Sequence, residues 1–249
     1  MVEMYEETVD GIQLIHAVPG GQYHQLLPTV FFYHGFTSSK EIYSYFGYTL
    51  AQAGFRVILP DALMHGARAE TDENVLLSHF WRILQNNLTE LALLKDTFVA
   101  RGLADEKRLG VGGVSMGGMT TMAALAHYPW VKVAANLMGS GYFATLADRL
   151  FPSFGGNTGV SRADFTQQMA LLLQCDVSDK LALVGSKPLL VWHGEQDDVV
   201  PFAESARLQQ ALVQHHLAQN LTFISDPAAK HKVSVNALQK TTEFFAARL

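Results

Sequence analysis

Short, continuously apolar runs alternate with longer segments of helical periodicity along the chain. The six runs expected to form strands span residues 30–33, 56–59, 109–114, 131–137, 189–192 and 221–224. Because their hydrophobicity is continuous and not alternating, we expect both faces of the strands to be buried, as in parallel sheets that helices cover on both sides. The pattern therefore predicts an α/β fold with a mostly parallel central sheet flanked by helices.

The segments between these runs supply the helices and one edge of the sheet. Helical periodicity is found at residues 41–53, 74–100, 117–128, 202–218 and 231–247. Residues 7–18 are expected to form one or two antiparallel strands at the sheet edge, followed by a turn at Pro19-Gly20-Gly21.

One interval, residues 141–187, is much longer than an ordinary connection between two strands. It begins shortly after the strand that ends near residue 138, and it contains several aromatic residues, among them Phe151, Phe154 and Phe165. Such excursions in a compact domain are usually functional lids or disordered inserts, and the aromatic content favours an ordered cap. We predict a single domain over residues 1–249 that carries a small cap at about 141–187.

Composition and charge exclude several classes of function. The formal net charge is -5 and no basic run is present, which argues against a nucleic-acid-binding protein. Cys175 is the only cysteine, so an intramolecular disulfide and a cysteine-based zinc site are excluded. We expect Cys175 to be a small apolar residue in a helix. The acidic N-terminal segment and the absence of a long uncharged apolar stretch predict a cytoplasmic protein without a membrane anchor. We expect no cofactor.

The segment Gly113-Val114-Ser115-Met116-Gly117 has the pattern of a serine nucleophile elbow. It follows a predicted strand and precedes a predicted helix, and this chemistry requires a hydroxyl at the tip of such a sharp turn. Glycine two residues before and two residues after the serine removes a collision with the following helix. Five residues of this kind also occur together by chance, so the hypothesis that Ser115 is a nucleophile depends on finding its partners.

An activated serine needs a general base and a carboxylate that orients the base, and this elbow expects the order serine, acid, histidine. The loop after the run 189–192 offers Asp197 as the preferred acid, with Glu195 and Asp198 as close alternatives. Three histidines follow this loop. His215 and His216 fall in a polar helical segment, whereas His231 follows the last predicted strand, where the chain leads into the last predicted helix, which makes it the candidate base.

The oxyanion of the reaction needs two backbone N–H donors. Met116, directly after the serine, is expected to supply one, and Phe36 in the loop His34-Gly35-Phe36 is expected to supply the other. We interpret His34 as a structural residue that braces this loop. Phe36, Tyr142 and Phe143, with apolar residues of the cap, are expected to line a short hydrophobic substrate pocket.

Five motifs together resemble the α/β-hydrolase family: HGFTSS, PDALMHGAR, GGVSMGG, HGEQDDVVP and AKHK. The resemblance extends over nearly the whole chain. It is greatest to small bacterial esterases similar to dienelactone hydrolases and to carboxylesterases of the prolyl oligopeptidase type, and in particular to the YjfP-type esterases. It implies a triad of Ser115, Asp197 and His231, and favours Asp197 over its neighbours because the family acid stands three residues after His-Gly.

The resemblance also bears on the substrate. Dienelactone hydrolases use a cysteine nucleophile, so serine at position 115 points to ester hydrolysis instead of that lactone chemistry. His65 and Arg68 occupy a loop that skirts the active-site mouth in these relatives. Either could contact a polar part of the substrate, although Arg68 could equally pair with an acid to hold the loop.

These observations predict a metal-independent serine carboxylesterase that acts on small, short-chain acyl esters. An acyl-CoA thioesterase or a small peptidase of the same fold is the alternative, because the same triad serves all three reactions. A non-catalytic protein that binds a small ligand is a third possibility. The sequence leaves the oligomeric state open.

Overall fold

The strands of the protein form a single mixed sheet. A computed structural model describes residues 1–150 and 161–249, and in these residues eight strands have the order β1-β2-β4-β3-β5-β6-β7-β8. The strands are β1 Val2–Val9, β2 Ile12–Pro19, β3 Leu27–Tyr33, β4 Arg56–Pro60, β5 Ala104–Val114, β6 Val133–Leu137, β7 Leu189–Gly194 and β8 Leu221–Asp226. β1 and β2 are antiparallel to their neighbours, and the remaining strands are parallel.

Helices cover both faces of this sheet. They are α1 Ser44–Gln52, α2 Glu73–Ser78, α3 Phe80–Ala100, α4 Met116–His127, α5 Phe143–Leu150, α6 Arg162–Gln174, α7 Leu181–Gly185, α8 Phe202–Gln214 and α9 Val235–Arg248. Short 3-10 turns lie at Gly66–Arg68, Val177–Asp179 and Ala218–Asn220. The predicted α/β fold is confirmed, and each of the six apolar runs coincides with a strand.

The alternation of side chains along β3 shows how the two layers are built. Phe31 and Tyr33 face a core that includes residues of α3 and α4, whereas Val30 and Phe32 face a second core that includes residues of α1 and α9. All four side chains are essentially inaccessible to solvent. Burial on both faces is the reason that these strands are continuously apolar in the sequence.

The prediction of antiparallel edge strands near the N-terminus is correct, but the observed strands are longer than predicted. Residues 7–18 belong to two antiparallel strands at the sheet edge, but β1 starts at Val2 and the hairpin turns at Asp10-Gly11. Both turn residues have positive φ, 51° and 82°, as a two-residue hairpin turn requires. The predicted turn at Pro19 is present, with Gln22 N–H donating to the Pro19 carbonyl at 3.0 Å.

The five predicted helices all differ from the structure at one end or both, and for two of them local hydrogen bonds account for the difference. The segment 74–100 is not one helix, because α2 ends at Ser78 and α3 begins at Phe80. The Ser78 hydroxyl and His79 Nδ1 both donate to the Val75 carbonyl, at 2.8 and 2.7 Å, and such local bonds compete with helix propagation. The last helix begins at Val235 and not at residue 231, and it is capped by the Ser234 hydroxyl.

The predicted cap corresponds to the interval between β6 and β7. Its described part contains α5, α6 and α7, and residues of α6 such as Phe165 and Met169 are buried in the same core as α3. Residues 151–160, with Phe151 and Phe154, lie outside the described residues. The cap and the single domain stay predictions. Cys175 is buried, but it is the first residue after α6 and does not lie in the helix as predicted.

Candidate active site

Ser115 lies at the junction between β5 and α4, at the carboxyl edge of the sheet. Its backbone has φ 57° and ψ -113°, a strained conformation that turns the chain sharply into the helix. A Cβ on Gly117 would stand 2.1 Å from the Tyr33 carbonyl oxygen, and a Cβ on Gly113 would stand 2.4 Å from backbone atoms of Gly117. Both positions therefore require glycine for the elbow to form.

The structure brings together the three side chains that the sequence singled out. His231 Nε2 lies 2.8 Å from Ser115 Oγ, and His231 Nδ1 lies 2.7 Å from Asp197 Oδ2. Because a carboxylate only accepts, Nδ1 carries the proton and Nε2 accepts from the serine hydroxyl. The parallel direction of β5, β7 and β8 makes this possible, since loops that follow parallel strands meet at one edge of the sheet.

The Asp197 carboxylate is buried and has donors on both oxygens. Oδ1 accepts the amides of Val199 and Val200, each at 2.9 Å, and Oδ2 faces His231 and His193. Burial would raise the pKa of Asp197, but the hydrogen bonds from His193, His231 and Val199 outweigh it and hold that pKa below its ordinary value. The carboxylate is therefore ionised at neutral pH.

The alternatives considered for acid and base lie elsewhere. Glu195 is exposed and accepts the Ser225 hydroxyl at 2.7 Å, and Asp198 is exposed in the same loop. His215 and His216 are exposed at the end of α8. None of the four takes part in the hydrogen bonds among Ser115, His231 and Asp197.

Met116 and Phe36, the predicted oxyanion donors, lie at the start of α4 and in the loop after β3. Met116 is the first residue of α4, where backbone N–H groups have no partner within the helix. Phe36 lies in the loop after β3, next to Thr37, which has a φ of 60°. His34 braces this loop, since its Nδ1 donates to the Gly35 carbonyl at 2.7 Å and its Nε2 accepts the Ala62 amide at 3.0 Å.

His65 also braces this loop and does not line the cavity at Ser115, unlike the expectation that it contacts substrate. Its Nε2 accepts the Thr37 amide at 3.0 Å and its Nδ1 donates to the Leu63 carbonyl at 2.8 Å, so both ring nitrogens are used. Burial lowers the pKa of His65, which keeps the ring neutral. Arg68 forms a bidentate ion pair with Glu90, both contacts at 2.8 Å, and therefore holds the loop.

A cavity of about 230 Å³ opens over the serine. Its lining consists of Phe36, Thr37, Phe80, Ser115, Met119, Val199, Val200 and His231. Tyr142 and Phe143, expected here, are placed elsewhere: Tyr142 lines a different cavity beneath Arg207, and Phe143 is fully buried in the core. The Tyr142 amide donates to Ser140 Oγ at 3.1 Å.

Sequence reasoning missed most of the apolar lining. Met119 lies four residues after Ser115 on α4, so helical spacing could have placed it beside the serine. Val199 and Val200 directly follow the acid and could have been found in the same way. Phe80 gives no comparable signal, because its position depends on the break between α2 and α3.

Two properties concern metals and membranes. Within residues 1–150 and 161–249 no group of three or more His, Cys, Asp and Glu side chains could hold a metal ion. In the same residues no helix combines the length and the hydropathy needed to cross a membrane.

Three comparisons relate the chain to known proteins. Residues 47–249 match the model of the prolyl oligopeptidase family. The chain is 41% identical over 249 residues to esterase YjfP of Escherichia coli (strain K12), which covers 100% of both chains. It superposes on TT1662 from Thermus thermophilus with a TM-score of 0.78 at 21% identity, covering 99% and 98% of the two chains. Est1E from Butyrivibrio proteoclasticus, solved with ferulic acid, gives a TM-score of 0.67 at 20% identity, covering 98% and 97%.

Proposed function

Because the chain belongs to the prolyl oligopeptidase family and shares its α/β-hydrolase fold, we propose that it is a serine carboxylesterase for small, short-chain acyl esters. The observation that carries the proposal is the unbroken set of hydrogen bonds from Ser115 through His231 to Asp197, beside an apolar cavity. The name of the relative, esterase YjfP, favours an ester substrate.

In the proposed reaction, His231 Nε2 takes the hydroxyl proton as Ser115 Oγ attacks the ester carbonyl carbon. The oxyanion accepts hydrogen bonds from the amides of Phe36 and Met116. When the tetrahedral intermediate collapses, His231 returns the proton to the leaving alcohol and the acyl group remains on Oγ. Water, deprotonated by His231, then attacks the acyl carbon. As this second intermediate collapses and releases the acid, His231 returns the proton to Ser115 Oγ. The ionised Asp197 stabilises the imidazolium in both halves of the reaction.

The cavity supports a short acyl group. Phe80, Met119, Val199 and Val200 enclose an apolar space of about 230 Å³, below the size of typical pockets for drug-sized ligands. A small acyl chain buries its methylene groups there, whereas a long chain extends beyond the lining. The same triad would serve a thioester or a peptide, so the substrate test includes those classes.

The test combines active-site labelling with a substrate series. A fluorophosphonate probe is expected to label the wild-type chain, and p-nitrophenyl acetate and butyrate are expected to be hydrolysed faster than the octanoate or laurate. Ser115→Ala should lose labelling and lower kcat for butyrate by a factor on the order of 10⁴ or more. Ser178→Ala, which changes an exposed serine of the cavity beside Tyr142, is the matched control. It should keep the labelling and the kcat for butyrate of the wild type.

Two results would contradict this proposal. Undiminished hydrolysis by Ser115→Ala would show that another residue is the nucleophile. A preference for acyl-CoA thioesters or for peptide substrates over oxyesters would assign the triad to one of the alternative reactions.

A further inference from the structure

His193, at the end of β7, is a fully buried histidine that contacts the carboxylate of Asp197. Its Nε2 lies 3.2 Å from Asp197 Oδ2 and 2.9 Å from the Val200 carbonyl oxygen. Its Nδ1 lies 2.7 Å from the Ser205 hydroxyl, which projects from α8. The ring therefore connects α8 with the same carboxylate oxygen that faces His231.

These partners determine which nitrogen of His193 carries the proton. A carbonyl oxygen and a carboxylate oxygen both only accept, so Nε2 must carry the hydrogen. It donates this hydrogen to the Val200 carbonyl at 2.9 Å, and Asp197 Oδ2 lies 3.2 Å from the same nitrogen. The Ser205 hydroxyl then donates to the unprotonated Nδ1. In this arrangement every polar atom of the buried ring has a partner, as buried polar groups require.

We propose that His193 is a positioning residue for the esterase reaction: its Nε2–H fixes the Oδ2 of Asp197 and shares the negative charge that this oxygen presents to His231. The inference rests on the proposed role of Ser115, Asp197 and His231. Oδ2 lies 2.7 Å from His231 Nδ1 and 3.2 Å from His193 Nε2, so both rings contact the same negatively charged oxygen. The lowered pKa of Asp197 has the hydrogen bond from His193 among its causes.

Among the described residues, the ionisable side chains on the elements packed against His193 contact other groups. On α8, Glu204 accepts the Ser140 hydroxyl at 3.3 Å, and Phe202 presents only an aromatic ring. On β8, the Asp226 carboxylate accepts the amides of Ala228 and Ala229. β6 has no titratable residue. Asp197 is therefore the charged group that His193 contacts from its own loop, and His231 lies beyond it.

Two amide substitutions separate the ring's two contacts. In His193→Asn the amide reaches only to the Nδ1 position, so the contact with Ser205 can persist while the donor to Asp197 is lost. In His193→Gln the amide nitrogen reaches the Nε2 position and can restore the donor. The readout is the pH profile of kcat/KM for p-nitrophenyl butyrate, with folding monitored by thermal unfolding.

We expect His193→Asn to lower kcat about tenfold, because Asp197 loses a fixed contact. The acidic limb of its kcat/KM profile should move to higher pH by about half a unit. Without the nearby N–H of His193, the full negative charge of Oδ2 stabilises the protonated ring of His231. His193→Gln should recover most of kcat and the wild-type limb. A purely structural role would lower the yield of folded protein without moving the limb.

An unchanged limb in His193→Asn, with an active wild type, overturns this inference alone. Wild-type protein that does not label or does not hydrolyse esters overturns the proposed function and this inference with it. If His193→Asn fails to fold, ¹⁵N NMR spectra of the histidines in the wild-type protein test the inference instead. The inference requires the Nε2–H tautomer of His193 at neutral pH. Finding the Nδ1–H tautomer would overturn it.

Discussion

His34 and His65 brace the loop that carries Phe36 without lining the cavity themselves. Their rings lie 5.3 Å apart, and each accepts one backbone amide, from Ala62 and Thr37 respectively. Only an unprotonated ring nitrogen can accept, and burial lowers the pKa of both rings, to about 4 for His34. The position of the Phe36 amide thus depends on two neutral histidines on either side of it.

Replacing His65 tests this dependence. His65→Ala removes the acceptor of the Thr37 amide, so we expect the loop to loosen and kcat for p-nitrophenyl butyrate to fall about tenfold or more, with a smaller change in KM. His65→Gln retains an acceptor and should recover part of the loss. His127→Ala, at an exposed histidine at the end of α4, is the control. Equal kcat in His65→Ala and wild type would contradict this role.

The sequence predicted Ser115, Asp197 and His231 because chain order and local motif are properties of the chain itself. It could not predict the partners that depend on tertiary distance. His193 stands in a motif that the sequence did display, but its contact with Asp197 arises only when the loop folds back over the end of β7. Tyr142 was misplaced for the same reason, since aromatic character does not tell which cavity a side chain enters.

At the level of elements, the packing of α4 against β3 and β5 decides whether the serine is presented at all. Gly117 brings the first turn of α4 against the end of β3, with no room for a side chain. Thr121 reinforces this turn by donating its hydroxyl to the Gly117 carbonyl at 2.9 Å. The strained backbone of Ser115 is held by this contact and by its own N–H, which donates to the Leu137 carbonyl at 2.8 Å.

Gly117→Ala should therefore damage stability and activity together. The added Cβ cannot avoid the Tyr33 carbonyl, which is backbone, so we expect the free energy of unfolding to fall by more than about 2 kcal/mol. Urea unfolding at neutral pH measures the change. Gly20→Ala is the matched control, because its Cβ would meet atoms of Met1 at 3.1 Å or more. A loss of similar size in both variants would refute the steric argument.

The elements that the sequence misjudged are those decided by local hydrogen bonds. The break between α2 and α3 follows from two side-chain bonds to Val75, which a periodic apolar pattern does not reveal. The hairpin at Asp10-Gly11 could have been predicted from the sequence, because this pair is a strong signal for a two-residue turn. The apolar runs predicted the strands correctly because burial on both faces requires continuous hydrophobicity, which is visible in the sequence.

For the whole molecule, buried neutral histidines make stability depend on pH. Burial lowers the pKa of His16 and His34 to about 4 each, against 6.5 for an unperturbed histidine. Between these values the unfolded chain binds protons that the folded chain does not, so stability falls as the pH falls through this window. Each ring is expected to contribute a loss of about 2 kcal/mol between pH 7 and pH 5.

His34→Gln should reduce the difference in unfolding free energy between pH 7 and pH 5 by about 2 kcal/mol, whatever its effect on stability at pH 7. Urea unfolding at the two pH values gives this difference. Burial would raise the pKa of Glu41, but the hydrogen bond from Lys40 outweighs it and lowers that pKa to about 2, so this carboxyl titrates below the window and should not interfere. Gly20→Ala keeps both histidines and should show the wild-type difference. An unaltered difference in His34→Gln would be inconsistent with a buried neutral ring.

The hydrogen bond between Ser115 and His231 joins residues 116 positions apart, across the sheet from β5 to the loop beyond β8. A chain in which β7 and β8 have not yet docked on β6 can form the elbow and still lack both the acid and the base. Under the proposed function, return of esterase activity during refolding would therefore time the completion of the sheet, while fluorescence or circular dichroism would report its earlier stages. Recovery of esterase activity is therefore expected to report the formation of these long-range contacts and not of the elbow alone.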